Sequence, residues 1–331
     1  MAYPAEPVVS AYYYPWYGAD GRHWDLGYAG RDTGQGPALG RYDSRAEETI
    51  RRHIAWSAEF GIDNWIASWW GPGSWEAETL LRHVLPALGK MAAAGQPAPT
   101  LCLLYESEGL LGLDPERGIE FNEEKIRAFS DHFRHLVEHY FAHPSYQRVG
   151  GRPVVYLYLS RTYTGDFARA LATARAVAEA RGFRVYLIGD EIYWGEPDAR
   201  RIGYLDAITA YNLHGPTEWA GREDWTGFVE ACGAVHARYR DVATPLGTAI
   251  VPGLIPGFDT GGRHYTIPRV LKPGAGPDSL FEAMAAMAAR HIDERLGHVA
   301  ITSFNEWHEG TQVEPDGGGG AILRRWFKPP R

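Results

Sequence analysis

Short apolar runs rich in β-branched and aromatic residues alternate along the chain with longer segments in which apolar residues recur at helical spacing. In residues 47–60, for example, Ile50, Ile54 and Ala58 repeat at every fourth position and share one helical face. The apolar runs predict strands at 8–14, 62–70, 100–105, 153–159, 184–188, 207–212, 245–251 and from Val299 onward. The periodic segments predict helices at 47–60, 76–94, 122–143, 166–181, 197–202, 225–240 and 278–296, with Asn122 as the N-cap of the third.

Strands that alternate with helices form a parallel sheet, and so many repeats in one chain favour a closed barrel over an open doubly wound sheet. The alternative is an open sheet that binds a nucleotide. It needs a glycine-rich phosphate turn after the first strand, where Tyr12 to Gly18 read YYYPWYG instead. The sequence therefore predicts an α/β fold, a single (β/α)8 TIM barrel that forms one domain over residues 1–331, with its strands between residues 8 and 310. The glycine-rich loops 19–43 and 252–277 follow strands and are expected to lie over the carboxyl end of the barrel.

Charge and aromatic content narrow the class of partner. The net charge is −8 and the basic residues are scattered, so the chain lacks the basic stripe that a nucleic acid requires. The 12 tryptophans and 19 tyrosines exceed what a core needs. Flat rings with polar edges suit the faces of sugars, although about half of these rings are expected to be core.

The spacing of cysteines and histidines and the length of the apolar runs indicate which cofactors and which cellular compartment to expect. Cys102 and Cys232 form neither a disulfide framework nor a metal motif, and His23, His214 and His264 lack ligand spacing, so no metal and no cofactor are expected. No apolar run reaches the length of about 18 residues that predicts a membrane span. Residues 1–10 lack the features of a leader, which predicts a cytoplasmic protein as written, although a chain trimmed of its leader would look the same. The oligomeric state stays open.

The most informative stretch is HVAITSFNEWHEGTQVEP, from His298 to Pro315. Its apolar start reads as a buried strand, and its polar continuation is typical of the carboxyl-terminal rim of a barrel, where reacting side chains stand on strand ends. Glu306 and Glu309 are three residues apart, which in a tightly turning backbone places both carboxylates on one side and drives their pKa values apart. One can then act as acid and the other as base. The alternative is that one of them only caps a turn or pairs with an arginine.

The segment SFNEWHEGTQVEP resembles the signature of glycoside hydrolase family 99 and its bacterial relatives, whose endo-acting members cleave α-mannosidic linkages inside glycans. Further matching segments, in the same order along the chain, are YYYPWYG (12–18), His23-Trp24, LGRYDS (39–44) and GIDNWIASWWGPGS (61–74). Barrels of that family end in a longer helical tail than DGGGGAILRRWFKPPR (316–331) allows. The last helix is therefore expected to be shortened or missing, with the gap patched by Ile322, Leu323, Trp326 and Phe327.

The resemblance also implies roles for individual residues. Glu306 corresponds to the carboxylate that deprotonates the sugar's own 2-hydroxyl, and Glu309 to the acid/base that protonates the leaving oxygen. The implied route retains the anomeric configuration through a 1,2-anhydro sugar, unlike the scheme in which a carboxylate attacks carbon. Glu106 corresponds to a third carboxylate in the cleavage subsite, and Tyr158 and Tyr211 to tyrosines around the same ring.

Position on the predicted strands adds further substrate-binding candidates. Tyr14 lies at the end of the first strand. Trp70 is placed to stack on a sugar face, while Trp69 alternates away into the core. Asn305 precedes Glu306 and either orients it, reaches a sugar hydroxyl or only ties down the loop.

The remaining polar residues of the rim leave alternatives open. His308 is expected to be structural, and Asp190 and Glu191 either contact substrate or form salt bridges to Arg161 or Arg200. The favoured function is a retaining endo-α-mannosidase that acts on a glycan. One rival is a carbohydrate-binding barrel without catalysis, which the two close anions argue against, and another is an accessory protein of polysaccharide synthesis.

Overall fold

The computed structural model describes residues 6–28, 36–214, 225–260, 270–271 and 279–317 of the 331-residue chain. Within them, parallel strands form a barrel: β1 (Val8–Tyr13), β2 (Asn64–Trp69), β3 (Thr100–Tyr105), β4 (Arg152–Leu157), β5 (Tyr186–Asp190), β6 (Ala207–Thr209), β7 (Ala249–Val251) and β8 (His298–Ile301). Each strand pairs with the next from β1 to β7, and β8 pairs with β1. Past Pro252, β7 continues as Gly253–Leu254, which pairs with β8 and closes the ring. The predicted TIM barrel is confirmed.

Helices surround the barrel. Their bounds are Glu47–Phe60, Trp75–Thr79 continuing through Leu80–Val84 into Leu85–Ala93, Ser107–Leu111, Glu123–His139, Phe167–Glu179, Ala199–Ile202, Trp225–Ala243 and Leu280–Ala289. Asn122 caps the helix that follows it, as predicted, because its Oδ1 accepts a hydrogen bond from the Lys125 N–H at 2.9 Å.

The clearest differences from the predicted elements have local causes. The predicted strand 245–251 begins only at Ala249, because Pro245 lies in the short 3-10 turn Thr244–Leu246. The predicted helix 278–296 ends at Ala289. Beyond it, Asp293 Oδ1 accepts hydrogen bonds from the backbone N–H and the Nε of Arg295, and such local bonds compete with a helical ladder.

Side-chain alternation sorts the strand residues between the barrel interior and the helices. The Tyr12 ring of β1 contacts the Tyr156 ring of β4 edge to face, with centroids 6.0 Å apart, which places both rings inside the barrel because these strands are not neighbours. The next residue, Tyr13, stacks on Trp65 at 4.3 Å and faces the helix Glu47–Phe60. The residues whose side chains point into the barrel therefore include those at the carboxyl rim, such as Tyr14, two residues after Tyr12.

The described parts of the two long loops contact the segment that follows β8: residues of the first pack on Trp307, and the Asp259 N–H of the second donates to Glu309 O at 2.8 Å. Tyr17, Trp24, Tyr28 and Tyr42 form an aromatic cluster with Trp307 from the loop that follows β8. The predicted tail 316–331 lies largely outside the described residues, and so do the apolar residues expected to patch the last helix position. None of the helices in the described part of the chain has the length and apolar character that crossing a bilayer requires.

Candidate active site

The loop after β8 is closed on itself by backbone hydrogen bonds. The Ser303 N–H donates to Thr311 O at 2.7 Å, and the Glu314 N–H donates to Phe304 O at 2.8 Å. The side chains of Ser303 and Thr311 also bond to each other at 3.0 Å. Glu306 therefore stands on a braced turn, which is the kind of support that a reacting side chain needs.

Glu306 is a buried carboxyl group whose proton affinity is raised. Its side chain is nearly enclosed, and its Oε1 accepts a hydrogen bond from the His308 N–H at 2.8 Å. Burial and, next, the nearby charge of Glu309 raise the pKa of Glu306 well above its usual range, while backbone N–H groups of His308 and Glu309 oppose the shift. The turn therefore places the enclosed Glu306 carboxyl group where both burial and a neighbouring charge oppose its ionisation.

Glu309 is more open to solvent, with 25% of its side chain exposed. Its Oε2 lies 3.4 Å from His214 Nε2, on the loop that follows β6. Its backbone O accepts a hydrogen bond from the Asp259 N–H at 2.8 Å. Gly310 has φ +62°, and a Cβ there would lie 2.7 Å from Asp259 O, so this close approach needs glycine.

Glu106 closes the other side of the rim. Burial raises its pKa to about 8, and a hydrogen bond from the Ser68 hydroxyl to its Oε1 at 2.6 Å partly opposes that shift. Ser68 Oγ in turn accepts a hydrogen bond from Trp70 Nε1 at 2.8 Å. The Trp70 ring is 38% exposed at the rim, whereas Trp69 is fully buried, which confirms the prediction that Trp69 is core.

The predicted tyrosines lie among these carboxyl groups. The hydroxyls of Tyr14 and Tyr211 are hydrogen-bonded to each other, and the Tyr158 ring meets the Tyr211 ring edge to face at 5.2 Å. Burial raises the pKa of Tyr14 well above its usual range, and the charges of Glu106 and Glu306 raise it further, so the phenol stays neutral. Burial also raises the pKa values of Tyr158 and Tyr211 well above their usual range. The rim thus presents neutral hydroxyls beside carboxyl groups.

Asn305 lies behind this cluster. Its Oδ1 accepts a hydrogen bond from the Tyr14 N–H at 2.7 Å, and its Nδ2 donates to Tyr14 O at 3.0 Å. Nδ2 also donates to the Tyr42 hydroxyl at 3.1 Å. The amide therefore joins the end of β1 to the turn that carries Glu306.

The acidic pair at the end of β5 is held by arginines. Asp190 forms a salt bridge with Arg161, one of the two predicted partners. Glu191 lies 3.5 Å from Arg201 and accepts a hydrogen bond from Ser160 at 2.7 Å. The alternative partner, Arg200, instead has its Nε 3.5 Å from the Tyr204 hydroxyl.

The predicted structural role of His308 fits its contacts, since its Nδ1 lies 2.8 Å from Gly27 O and ties the first loop to the turn after β8. His23 stacks on Trp16 at 4.5 Å, and burial lowers its pKa to about 4. No group of three or more histidine, cysteine, aspartate or glutamate side chains in the described part of the chain is placed to hold a metal ion.

Comparison with known proteins gives the family. The family model described as "Glycosyltransferase WbsX" matches residues 27–323. The chain belongs to this WbsX family. It is also similar to the human "Glycoprotein endo-alpha-1,2-mannosidase-like protein", with 25% identity over 92% of this chain and 68% of that protein. The predicted resemblance to glycoside hydrolase family 99 and its bacterial relatives is thereby confirmed, and this WbsX-family protein is glycoside hydrolase-like.

Solved structures agree on the fold. One described as "Glycoside hydrolase-like protein" superposes with a TM-score of 0.79 at 16% identity, covering 100% of this chain and 96% of its own. The GH99 endo-alpha-mannosidase from Bacteroides thetaiotaomicron superposes with a TM-score of 0.65 at 21% identity, covering 93% of this chain and 88% of its own. At such identities the likeness establishes the barrel fold, and the chemistry has to be inferred from the residues of the site.

Some residues of the WbsX-family rim were not predicted. Ser68 joins Trp70 to Glu106, and its position two residues before Trp70 on the same strand face could have indicated it. His214 lies beside Glu309, but no spacing in the sequence connects the loops after β6 and β8. Glu314 belongs to the polar part of the stretch 298–315 in which chemistry was expected, but no role was predicted for it, and the structure encloses it behind the turn.

Proposed function

We propose that this WbsX-family protein is a retaining, endo-acting glycoside hydrolase that cleaves an α-mannoside-type linkage in a glycan, with residues 1–331 forming one catalytic barrel domain. The observation that carries the proposal is the pairing of Glu306 and Glu309 on one braced turn, where burial and, next, the Glu309 charge raise the pKa of Glu306. Two carboxyl groups this close, one enclosed and one partly exposed, are suited to act as the base and the acid of one reaction.

In the first step, the Glu306 carboxylate takes the proton from the sugar's 2-hydroxyl while that oxygen attacks the anomeric carbon. The glycosidic bond breaks, and the protonated Glu309 gives its proton to the leaving oxygen. The products are a 1,2-anhydro sugar, a neutral Glu306 and an ionised Glu309. The raised pKa of Glu306 makes it a stronger base than an ordinary carboxylate, which suits removal of a proton from a hydroxyl.

In the second step, water attacks the anomeric carbon from the face that the leaving group vacated. The Glu309 carboxylate takes the proton from this water, and Glu306 returns its proton to O2 as the three-membered ring opens. Two inversions give net retention, and both carboxyl groups end in their starting states. The partial exposure of Glu309 fits a group that must meet both a departing glycan and a water molecule.

The other rim residues fit substrate binding. Tyr14, Tyr158 and Tyr211 present neutral hydroxyls to a polar ring, and Glu106 accepts hydrogen bonds from sugar hydroxyls in the cleavage subsite. The exposed Trp70 ring provides a stacking surface beside Glu106. Asn305 contributes by fixing Tyr14 against the catalytic turn.

The family description as a glycosyltransferase makes transfer from a nucleotide sugar the second candidate. Glu106, Glu306, Glu309 and the tyrosines around them offer a diphosphate no cation, and phosphate recognition ordinarily uses arginine or lysine. The same rim suits a neutral glycan. Incubation with an α-mannoside oligosaccharide alone separates the two: hydrolysis without a nucleotide sugar supports the proposal, and activity that requires one overturns it.

The mechanism is tested with an activated 2-fluoro glycoside and intact-protein mass spectrometry. This analogue has no 2-hydroxyl proton for Glu306 to take, so we expect binding without a covalent adduct. A conventional retaining enzyme would be trapped as an ester instead. A stable mass increase that maps to Glu306 would overturn the anhydro-sugar route, while digestion of a glycan array with product analysis identifies the linkage.

A further inference from the structure

Glu314 has a fully enclosed carboxylate, which lies behind the turn after β8 that carries Glu306 and Glu309. Its Oε2 accepts hydrogen bonds from Trp307 Nε1 at 2.7 Å and from the Tyr42 hydroxyl at 2.9 Å. Its Oε1 lies 3.1 Å from His53 Nε2, and both of these side chains have no solvent exposure. His53 Nδ1 is in turn 3.1 Å from the Tyr13 hydroxyl. Because a carboxylate only accepts hydrogen bonds, His53 donates to Glu314 through Nε2.

These contacts reach both neighbours of Glu306. Trp307 follows Glu306 directly, and its indole N–H is held by Glu314. Asn305 precedes Glu306, and its Nδ2 donates to the Tyr42 hydroxyl at 3.1 Å, which itself donates to Glu314. The carboxylate thus clamps the side chains on either side of the proposed base, one directly and one through Tyr42. The proposed mechanism does not otherwise use Glu314.

We propose that Glu314 is a positioning residue for Glu306, which fixes it against the sugar's 2-hydroxyl by holding Trp307 directly and Asn305 through Tyr42. The inference rests on the proposed function, since it names a supporting residue of that same site. Three donors converge on one carboxylate, and a glutamine there must turn an NH2 group towards at least one of them. Glu314→Gln therefore loosens the clamp with almost no change of volume.

The first experiment measures turnover of an α-mannoside oligosaccharide. For Glu314→Gln we expect kcat to fall about 100-fold with KM within about twofold, because a displacement near 1 Å affects the reacting geometry more than substrate binding. Tyr42→Phe breaks the path to Asn305 without a change of charge and should lower kcat about tenfold. If both act through one clamp, the double variant should be no slower than Glu314→Gln alone within about twofold.

The second experiment reads the position of Glu306 without substrate. Glutamate carboxyl groups labelled with carbon-13 are titrated by NMR, and Glu306→Gln assigns the resonance. Because Glu306 is held in a buried place beside Glu309, its pKa in the wild type is raised. In Tyr42→Phe, which carries the wild-type charge, the Glu306 pKa should fall towards the ordinary value of about 4.3. The NMR titration tests the inference even if the wild type hydrolyses no substrate. Absence of hydrolysis by the wild type would overturn the proposed function but not the inference about Glu314.

Asp206→Asn provides the matched control. Asp206 is a partly buried carboxylate held by Arg152 and Arg175 just before β6, at the opposite end of the barrel. Its loss should lower stability while kcat and the Glu306 titration stay as in the wild type. The inference is overturned if folded Glu314→Gln keeps wild-type kcat, if Tyr42→Phe leaves the Glu306 pKa raised, or if Asp206→Asn lowers kcat as much as Glu314→Gln does.

Discussion

Replacing Glu106 by Gln tests the electrostatics of the rim through stability. Burial raises the pKa of Glu106 from 4.5 to about 8, so the folded protein keeps a proton there that the unfolded chain releases at lower pH. Between these values the folded state binds more protons than the unfolded state, and the free energy of unfolding therefore falls as the pH rises. The contribution of Glu106 to the free energy of unfolding is fully present below the pKa that this group has in the unfolded chain. It is lost as the pH rises through the pKa that the group has in the folded protein.

The magnitude follows from the size of the shift. At about 1.4 kcal/mol per pKa unit, ionisation of Glu106 should cost the wild type roughly 4 kcal/mol more near pH 9 than near pH 5. The glutamine side chain of the Glu106→Gln variant cannot ionise and escapes this loss, while its amide oxygen still accepts the Ser68 hydrogen bond. Glu191 titrates in both proteins, so its contribution cancels in the difference. The Glu106 charge also raises the pKa of Glu306, and its removal in the variant adds to the difference in the same direction.

Urea denaturation of the two proteins near pH 5, 7 and 9 measures the effect. The difference in unfolding free energy should widen in favour of Glu106→Gln by roughly 4 kcal/mol over this range. The exposed Glu116 provides the control, since Glu116→Gln should follow the wild type at every pH. If the Glu106→Gln and wild-type curves stay parallel, Glu106 is ionised at ordinary pH in the folded protein and the reasoning about a buried neutral carboxyl is refuted.

Three further outcomes are expected. Glu309→Gln should abolish turnover of substrates with poor leaving groups while leaving binding intact and activated substrates less affected; an unchanged rate on a natural linkage contradicts the assignment. Trp70→Ala should weaken glycan binding by about 1 kcal/mol or more in calorimetry, and wild-type affinity in the folded variant would exclude stacking. Ser68→Ala removes the hydrogen bond that lowers the Glu106 pKa, so NMR titration should place that pKa above about 8, and an unchanged value would refute the contact.

The barrel was predictable because local patterns determine it. Each apolar run carries its own signal, and β3 was predicted with its observed bounds, Thr100–Tyr105. Elements whose ends depend on local hydrogen bonds were less accurate, as Asp293 shows beyond the last described helix. The partner of Asp190 was one of two arginines proposed from the sequence, and only the fold could select Arg161, which follows β4, the neighbour of β5.

The side chains that face the rim and those that support them differ in how far the sequence reveals them. Glu106, Tyr158 and Tyr211 each follow a strand, and strand ends converge in a barrel, so a list of strand ends already gathers them. Glu314 meets His53 across 261 positions of sequence, through a contact that exists only once β8 has paired with β1. Its surroundings are also mostly aromatic, and such rings read as core from sequence. The supporting roles of such residues depend on contacts that form when the barrel closes, and no local pattern predicts those contacts. Variants of Glu314 and Tyr42 therefore test the structure more stringently than variants of Glu306 or Glu309.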